Sequence, residues 1–219
     1  MNKKSFFNPE ITIIGCGPGN RDYLMPAAWA AAKEADVLIG SGRLLDLFDD
    51  LAKLRKICPA NVAEAIALLE KSLMNGRRIG VLVSGDPGVF SLATAVKRHF
   101  GPSRCRVVPG ISAAQLAFAR LGLEWASGRI ISAHGREPGT RPEDLKMVSP
   151  IAVLCGGQSG RVWVSNLVDA LKDTHQAWIC TSLGMADETI RPAGPKPLMS
   201  HPLASLTVVV LARQDTEEV

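Results

Sequence analysis

Aromatic residues are scarce in this chain: one tyrosine, six phenylalanines and four tryptophans in 219 residues, set among lysines and arginines that form no run. Nucleic-acid readers carry a basic stripe with interleaved aromatics, so the sequence argues against that class of partner. Cysteine is equally uninformative as a framework. Cys16, Cys58, Cys105, Cys155 and Cys180 are odd in number and widely spaced, with no CxxC and no Cys/His pair at metal-ligand spacing. That pattern fits a reducing cytosol rather than a disulfide scaffold, and points to no metal site. No uncharged apolar run approaches the roughly 18 residues of a spanning helix. Asn8, Pro9 and Glu10 interrupt the stretch behind Lys3 and Lys4 that a signal peptide would need. A cytoplasmic protein with no membrane segment is expected. No Gly-Lys-Ser/Thr occurs, which excludes a P-loop.

What remains is an ordinary globular composition, 47% hydrophobic and 21% charged, with a net charge of +4 that suits a small anionic ligand. Short β-branched runs alternate with helical stretches. Ile11 to Ile14, Asp36 to Gly40, Ile79 to Val83 and Arg106 to Gly110 read as strands. Pro26 to Glu34 is alanine-rich with proline at a first-turn position, and Asn61 to Asn75 carries an N-cap with Glu64 three residues on. Leu44 to Leu54, Val89 to Phe100 and Ser112 to Leu121 also read as helices. This alternation predicts a parallel α/β sheet. The rhythm restarts near Gly122 to Arg129. Strands are expected at Ile130 to Ala133, Ile151 to Cys155, Ala177 to Cys180 and Leu206 to Leu211, with a helix over Val162 to Lys172. Two α/β domains, 8–114 and 118–213, are the expected partition.

Three candidate strands of the first domain end in glycine loops. They are Gly15-Cys16-Gly17-Pro18-Gly19-Asn20, Gly85-Asp86-Pro87-Gly88-Val89-Phe90 and Pro109-Gly110-Ile111-Ser112-Ala113. One such loop is an ordinary strand-helix turn. Three at the carboxyl ends of one parallel sheet point to a shared pocket. The first loop is not a dinucleotide fingerprint. Asn20 stands where the third glycine is required, Pro18 removes an amide, and no acidic residue ends the second strand.

These three segments, in this order and spacing, resemble the tetrapyrrole methylase family. Gly40 to Leu45, Gln115 to Gly122 and Ser132 to Arg136 look like its C-5-methylating branch, which occurs fused to a C-15-methylating, decarboxylating domain or as a separate chain; the length here implies the separate form. The resemblance implies two α/β domains with the active site in the cleft between them, the second domain completing the cofactor site. It implies S-adenosyl-L-methionine as cofactor, S-adenosyl-L-homocysteine as its product, a precorrin or cobalt-precorrin substrate, and a homodimer. Its motifs assign Cys16, Pro18, Asp86, Val89, Ser112 and Ala113 to the cofactor, with Cys155, Leu183 and Leu206 from the second half. His134 is the candidate for proton handling, because it follows a strand and imidazole is the side chain most often used for proton transfer. Arg43 and Arg136 suit the carboxylate arms of the macrocycle. A relative methylating another ring carbon, or a non-enzymatic tetrapyrrole carrier, are the alternatives the sequence leaves open.

Overall fold

Four consecutive β-branched residues, Ile11 to Ile14, open strand β1 (Ile11–Gly15) and send side chains alternately to the two faces of a sheet. The computed structural model describes residues 10–134, 137–194 and 206–214. They fall into two units, Met1–Ser112 and Ala113–Val219, each built on its own five-stranded sheet.

In the first unit β1 is followed by α1 (Pro26–Glu34), β2 (Val37–Gly40), α2 (Gly42–Leu45), β3 (Leu54–Ile57), α3 (Val62–Leu73), β4 (Ile79–Val83), α4 (Ala93–Phe100) and β5 (Cys105–Val108). The strand order is β3-β2-β4-β1-β5 and every pairing is parallel. Ile14, Leu38 and Leu82 face α1 and α2, packing with Ala28, Ala31, Ala32 and Leu44. Ile13, Ile39, Val81 and Val83 face the other side, packing with Leu69 of α3 and Ala93 and Val96 of α4. Both faces are therefore covered, which is why β1, β2 and β4 need no polar alternation. The central strands β1 and β4 are neighbours, yet the chain leaves β1 for α1 on one face and β4 for α4 on the other. That reversal makes the crevice beyond their carboxyl ends the topological switch point, where open α/β sheets bind ligands.

Three sequence expectations need correction here. Leu44 to Leu54 is not one helix: α2 passes into a 3-10 turn, Asp46–Phe48, and β3 begins at Leu54. β3 escaped the pattern because it is an edge strand. Arg55 and Lys56 interrupt its hydrophobic signal, as charges commonly do at sheet edges. The helix expected from Val89 starts only at Ala93, leaving a longer loop behind β4. The helix expected from Val162 starts five residues earlier, at Gly157. The α3 cap is as expected, with the Asn61 side chain accepting from the Ala63 and Glu64 amides at 2.8 and 3.2 Å.

The second unit begins with α5 (Ala113–Leu121) and β6 (Arg129–His134), then β7 (Ile151–Gly156), α6 (Gly157–Leu171), β8 (His175–Thr181), β9 (Thr189–Ala193) and β10 (Thr207–Arg213). Its order is β6-β7-β10-β8-β9, with only β6 and β7 parallel. β9 gave no sequence signal, since Arg191 and Pro192 break its apolar character. Trp163, Val164, Leu167, Val168 and Leu171 of α6 bury one face against Ile131, Val153, Ile179 and Val209, and α5 lies against β7 and β10. No helix among the described residues is long and apolar enough to cross a membrane.

Candidate functional site

The glycine loops of the first unit follow β4, β1 and β5, three adjacent strands, so the register itself brings them together. They are joined mainly through main chain. The Cys16 amide donates to Val83 O at 2.9 Å. Gly17 and Gly85 then exchange both hydrogen bonds, at 2.7 and 3.3 Å, as an isolated antiparallel bridge beyond the strand ends. Both residues have positive φ, +66° and +67°, a conformation glycine adopts freely. A Cβ on Gly15 would lie 2.6 Å from the Gly110 amide nitrogen, and one on Gly110 would run into the Gly85 carbonyl oxygen. Backbone packs on backbone here, with no room for a methyl group.

Two charged side chains brace this arrangement. Asp86 accepts from the Gly88 amide at 2.7 Å through Oδ1 and from the Gly110 amide at 3.0 Å through Oδ2. One carboxylate thus shapes its own turn and ties the β4 loop to the β5 loop; hydrogen bonds to a charged acceptor are worth about 1.5–3 kcal/mol each. Arg43, at the start of α2, donates through Nη1 to Pro18 O at 2.8 Å and through Nη2 to Ser84 Oγ at 3.3 Å. Its guanidinium fills the space beside Gly19, where any Cβ would collide with it. Half-burial disfavours the charged form and pulls the Arg43 pKa down.

The remaining residues expected around these strands sit in or next to the same loops. Pro18 is buried, Val89 and Ala113 are half-buried, and Ser112 is 2% exposed. Cys16 is wholly buried, its thiol 3.5 Å from Ile14 O, and burial pushes that thiol up to about 12. It is a neutral thiol at physiological pH. Phe90 drew no role from the sequence. It is 61% exposed and held at φ +44°, a region bulky residues avoid at a cost of order 1–3 kcal/mol.

In the second unit, register again gathers the expected residues on one sheet edge. His134 pairs with Gly156 and Ala133 with Cys155; Thr207 lies opposite both Cys155 and Thr181. His134 is exposed, its amide 3.4 Å from Ser132 Oγ. Its ring covers Gly156 so closely that a Cβ there would overlap Nδ1, leaving Nε2 as the nitrogen farther from the main chain. Cys155 mirrors Cys16: its thiol reaches Val153 O at 3.3 Å, and burial raises it to about 12. Leu183 is buried and Leu206 is 39% exposed. Leu206 and Ser182 both have positive φ, +70° and +51°, and the Ser182 amide donates to Leu206 O at 3.3 Å. No sequence signal marked that strained pair. The turn beyond it is pinned by Ser182 Oγ to Asp187 at 2.9 Å and by Glu188, which accepts from the Gly184 amide at 2.6 Å and pairs with Arg120. Arg136 lies outside the described residues.

Comparison with known proteins points to one family. The model of the tetrapyrrole (corrin/porphyrin) methylases matches residues 10–194. The chain is 34% identical over 126 residues to a cobalt-precorrin-7 C(5)-methyltransferase of Salmonella typhimurium, covering 58% of this chain and 62% of that protein. It is 35% identical over 130 residues to a probable cobalt-precorrin-7 C(5)-methyltransferase of Methanocaldococcus jannaschii, covering 58% and 61%. The matched part of the chain thus spans about three-fifths of the length of these curated relatives. Among solved structures, a cobalamin-biosynthesis precorrin-6Y methylase from Archaeoglobus fulgidus aligns with a TM-score of 0.71 at 20% identity, covering 94% of this chain and all of that one. A uroporphyrin-III C-methyltransferase from Thermus thermophilus, complexed with S-adenosyl homocysteine, aligns at 0.68 and 19% identity, covering 92% and 96%.

Proposed function

The chain belongs to the tetrapyrrole (corrin/porphyrin) methylase family, and from that premise we propose that it is an S-adenosylmethionine-dependent methyltransferase of cobalamin biosynthesis, acting on carbon 5 of a cobalt-precorrin-7-type macrocycle. The observation that carries the proposal is the switch-point edge, where the glycine loops on β4 and β1 are joined by the Gly17–Gly85 bridge and those on β4 and β5 by Asp86. The identity to two relatives named for this reaction supports the regiochemistry.

The edge suits such a cofactor. It presents main chain at close quarters, and its cysteine is a buried, neutral thiol. A thiolate beside a methyl sulfonium would itself be alkylated. Raising the Cys16 and Cys155 thiols to about 12 removes two rival nucleophiles. Cys16, Pro18, Asp86, Val89, Ser112, Ala113, Cys155, Leu183 and Leu206 would hold the cofactor. When bound, S-adenosylmethionine supplies an electrophilic methyl group on sulfur. An electron-rich carbon of the macrocycle would accept that methyl group, S-adenosylhomocysteine would be released, and the ring system would give up a proton. The protein's share is orientation, worth up to roughly 7–11 kcal/mol where reacting atoms are held in line. His134 would take up the departing proton at Nε2, an assistance of about 10²–10⁴-fold. Arg43 and Arg136 would receive carboxylate arms of the substrate.

The same reading places the protein in the cytoplasm as a homodimer, supplied or followed by a C-15-methylating, decarboxylating activity. Titration calorimetry with S-adenosylhomocysteine tests the cofactor site, and absence of binding at high micromolar concentration would overturn it. Mass and NMR analysis of the product from cobalt-precorrin-7 tests the position; a methyl group on any carbon but C-5 refutes the assignment.

A further inference from the structure

Among the described residues, Phe90 is the one large aromatic that the first unit's ligand edge both strains and exposes. Its φ is +44° and 61% of it faces solvent. The residues around it leave it little freedom. On one side the Val89 amide donates to Asp86 O at 3.0 Å, within the turn that the Asp86 side chain closes on Gly88. On the other, Ser91 Oγ donates to Pro87 O at 2.7 Å and accepts from the Ala93 amide at 3.1 Å, which sets the first turn of α4. Two closed turns therefore flank residue 90, whose backbone lies in the left-handed region. Glycine would take that conformation without strain and would expose no apolar ring. Neither the backbone nor the solvent gains from a phenyl group here. An exposed side chain held off its preferred conformation at a ligand edge is the signature of a contact made only when a ligand is present.

We infer that Phe90 is a substrate-positioning residue, its ring forming an apolar platform for the conjugated face of a flat, polycarboxylate macrocycle. This rests on the methyltransferase reading above. The loop divides the labour: Gly85 to Gly88 presents main chain, and Phe90, four residues beyond Asp86, presents a ring. A planar π-system is what an isolated phenyl ring recognises best, through offset or edge contacts. The carboxylate arms that such a substrate carries have no use for it, so Phe90 serves placement of the ring system and not its charge.

Steady-state kinetics with cobalt-precorrin-7 and S-adenosylmethionine, varied in turn, separates these roles. Phe90→Ala should raise KM for the macrocycle roughly three- to tenfold, the range of one aromatic contact, and leave S-adenosylhomocysteine affinity within about twofold. Phe90→Gly, which relieves the strain but lacks the ring, should show the same macrocycle defect while melting no lower than wild type. Phe90→Tyr should restore wild-type KM. An unchanged macrocycle KM in Phe90→Ala and Phe90→Gly, with wild type active, overturns the platform. So does a change in sedimentation behaviour with KM unaltered, which would assign the ring to a contact between copies. If wild type transfers no methyl group, the methyltransferase reading fails instead, and the two failures are distinct.

Discussion

At the carboxyl edge of the first sheet, main chain rests on main chain: Gly15 on Gly110, Gly17 on Gly85, with the Asp86 carboxylate accepting from two amides. At the corresponding edge of the second sheet, side chains make more of the fit, although Gly160 packs on the Ala133 carbonyl. His134 lies over Gly156, Ser182 reaches Asp187, and Glu188 joins Arg120 to the Gly184 amide. The two edges carry like-minded features, including a buried neutral cysteine apiece, but they differ in what can move. A backbone contact has nowhere to go when an atom is added, whereas an imidazole or a carboxylate can rotate away. At these contacts the first edge is a fixed mould and the second, Gly160 on Ala133 apart, an adjustable one.

Substitution tests that difference most severely at the two glycines. Gly110→Ala puts a methyl group into the Gly85 carbonyl, and a loss of about 3 kcal/mol in thermal or chemical unfolding is expected, together with loss of S-adenosylhomocysteine binding in calorimetry. Gly156→Ala displaces only the His134 ring and should cost about 1 kcal/mol or less, with turnover reduced more than cofactor affinity. Equal costs at the two positions would break the comparison. Next in size is Asp86→Ala, which strands the Gly88 and Gly110 amides and should weaken S-adenosylhomocysteine roughly tenfold. Asp86→Asn, keeping one acceptor oxygen, should fall between that variant and wild type.

A smaller effect belongs to the second edge. Arg120 beside Glu188 holds that carboxyl below the usual range, so the native state binds its proton less readily than the unfolded chain. The pair then stabilises the fold above the ordinary glutamate value near 4.3, and that stability is lost as pH falls below it. Glu188→Gln should be less stable by about 1 kcal/mol at pH 7, and its unfolding curve should converge with wild type below about pH 4. A deficit persisting at pH 3 would mean the carboxylate acts by packing alone. The smallest effect is a silence. At pH 8 iodoacetamide should modify Cys16 and Cys155 in the folded protein roughly a thousandfold more slowly than an unfolded control, as follows from thiols near 12. Faster labelling of Cys155 than of Cys16, read by peptide mass mapping, would show the adjustable edge opening first.

The same difference explains what the sequence disclosed. The first unit announces itself, because a mould of main chain must be written in glycine and proline at fixed offsets, and β1, β2 and β4 are buried on both faces. The expected loops Gly15 to Asn20, Gly85 to Phe90 and Pro109 to Ala113 sit on adjacent strands. The braces were harder to see. Nothing in Gly42-Arg43-Leu44 says that the guanidinium ends on Pro18 O and Ser84 Oγ, since that contact spans 25 and 41 residues. The second unit discloses most of its strands but not how their ends meet. Antiparallel pairing brings Thr207 to Cys155 from 52 residues away, and β9 carries charge and proline where a strand signal is sought. The left-handed pair Ser182 and Leu206 has no glycine to betray it.

The Gly17–Gly85 bridge bears on the thermodynamics of association. Fixing a residue's backbone carries an entropy cost of about 1–2 kcal/mol at room temperature. Two loops that already exchange a pair of hydrogen bonds with each other have met that cost during folding. A small molecule settling on them orders itself and little else, so its binding enthalpy should not be masked by a compensating loss of loop freedom.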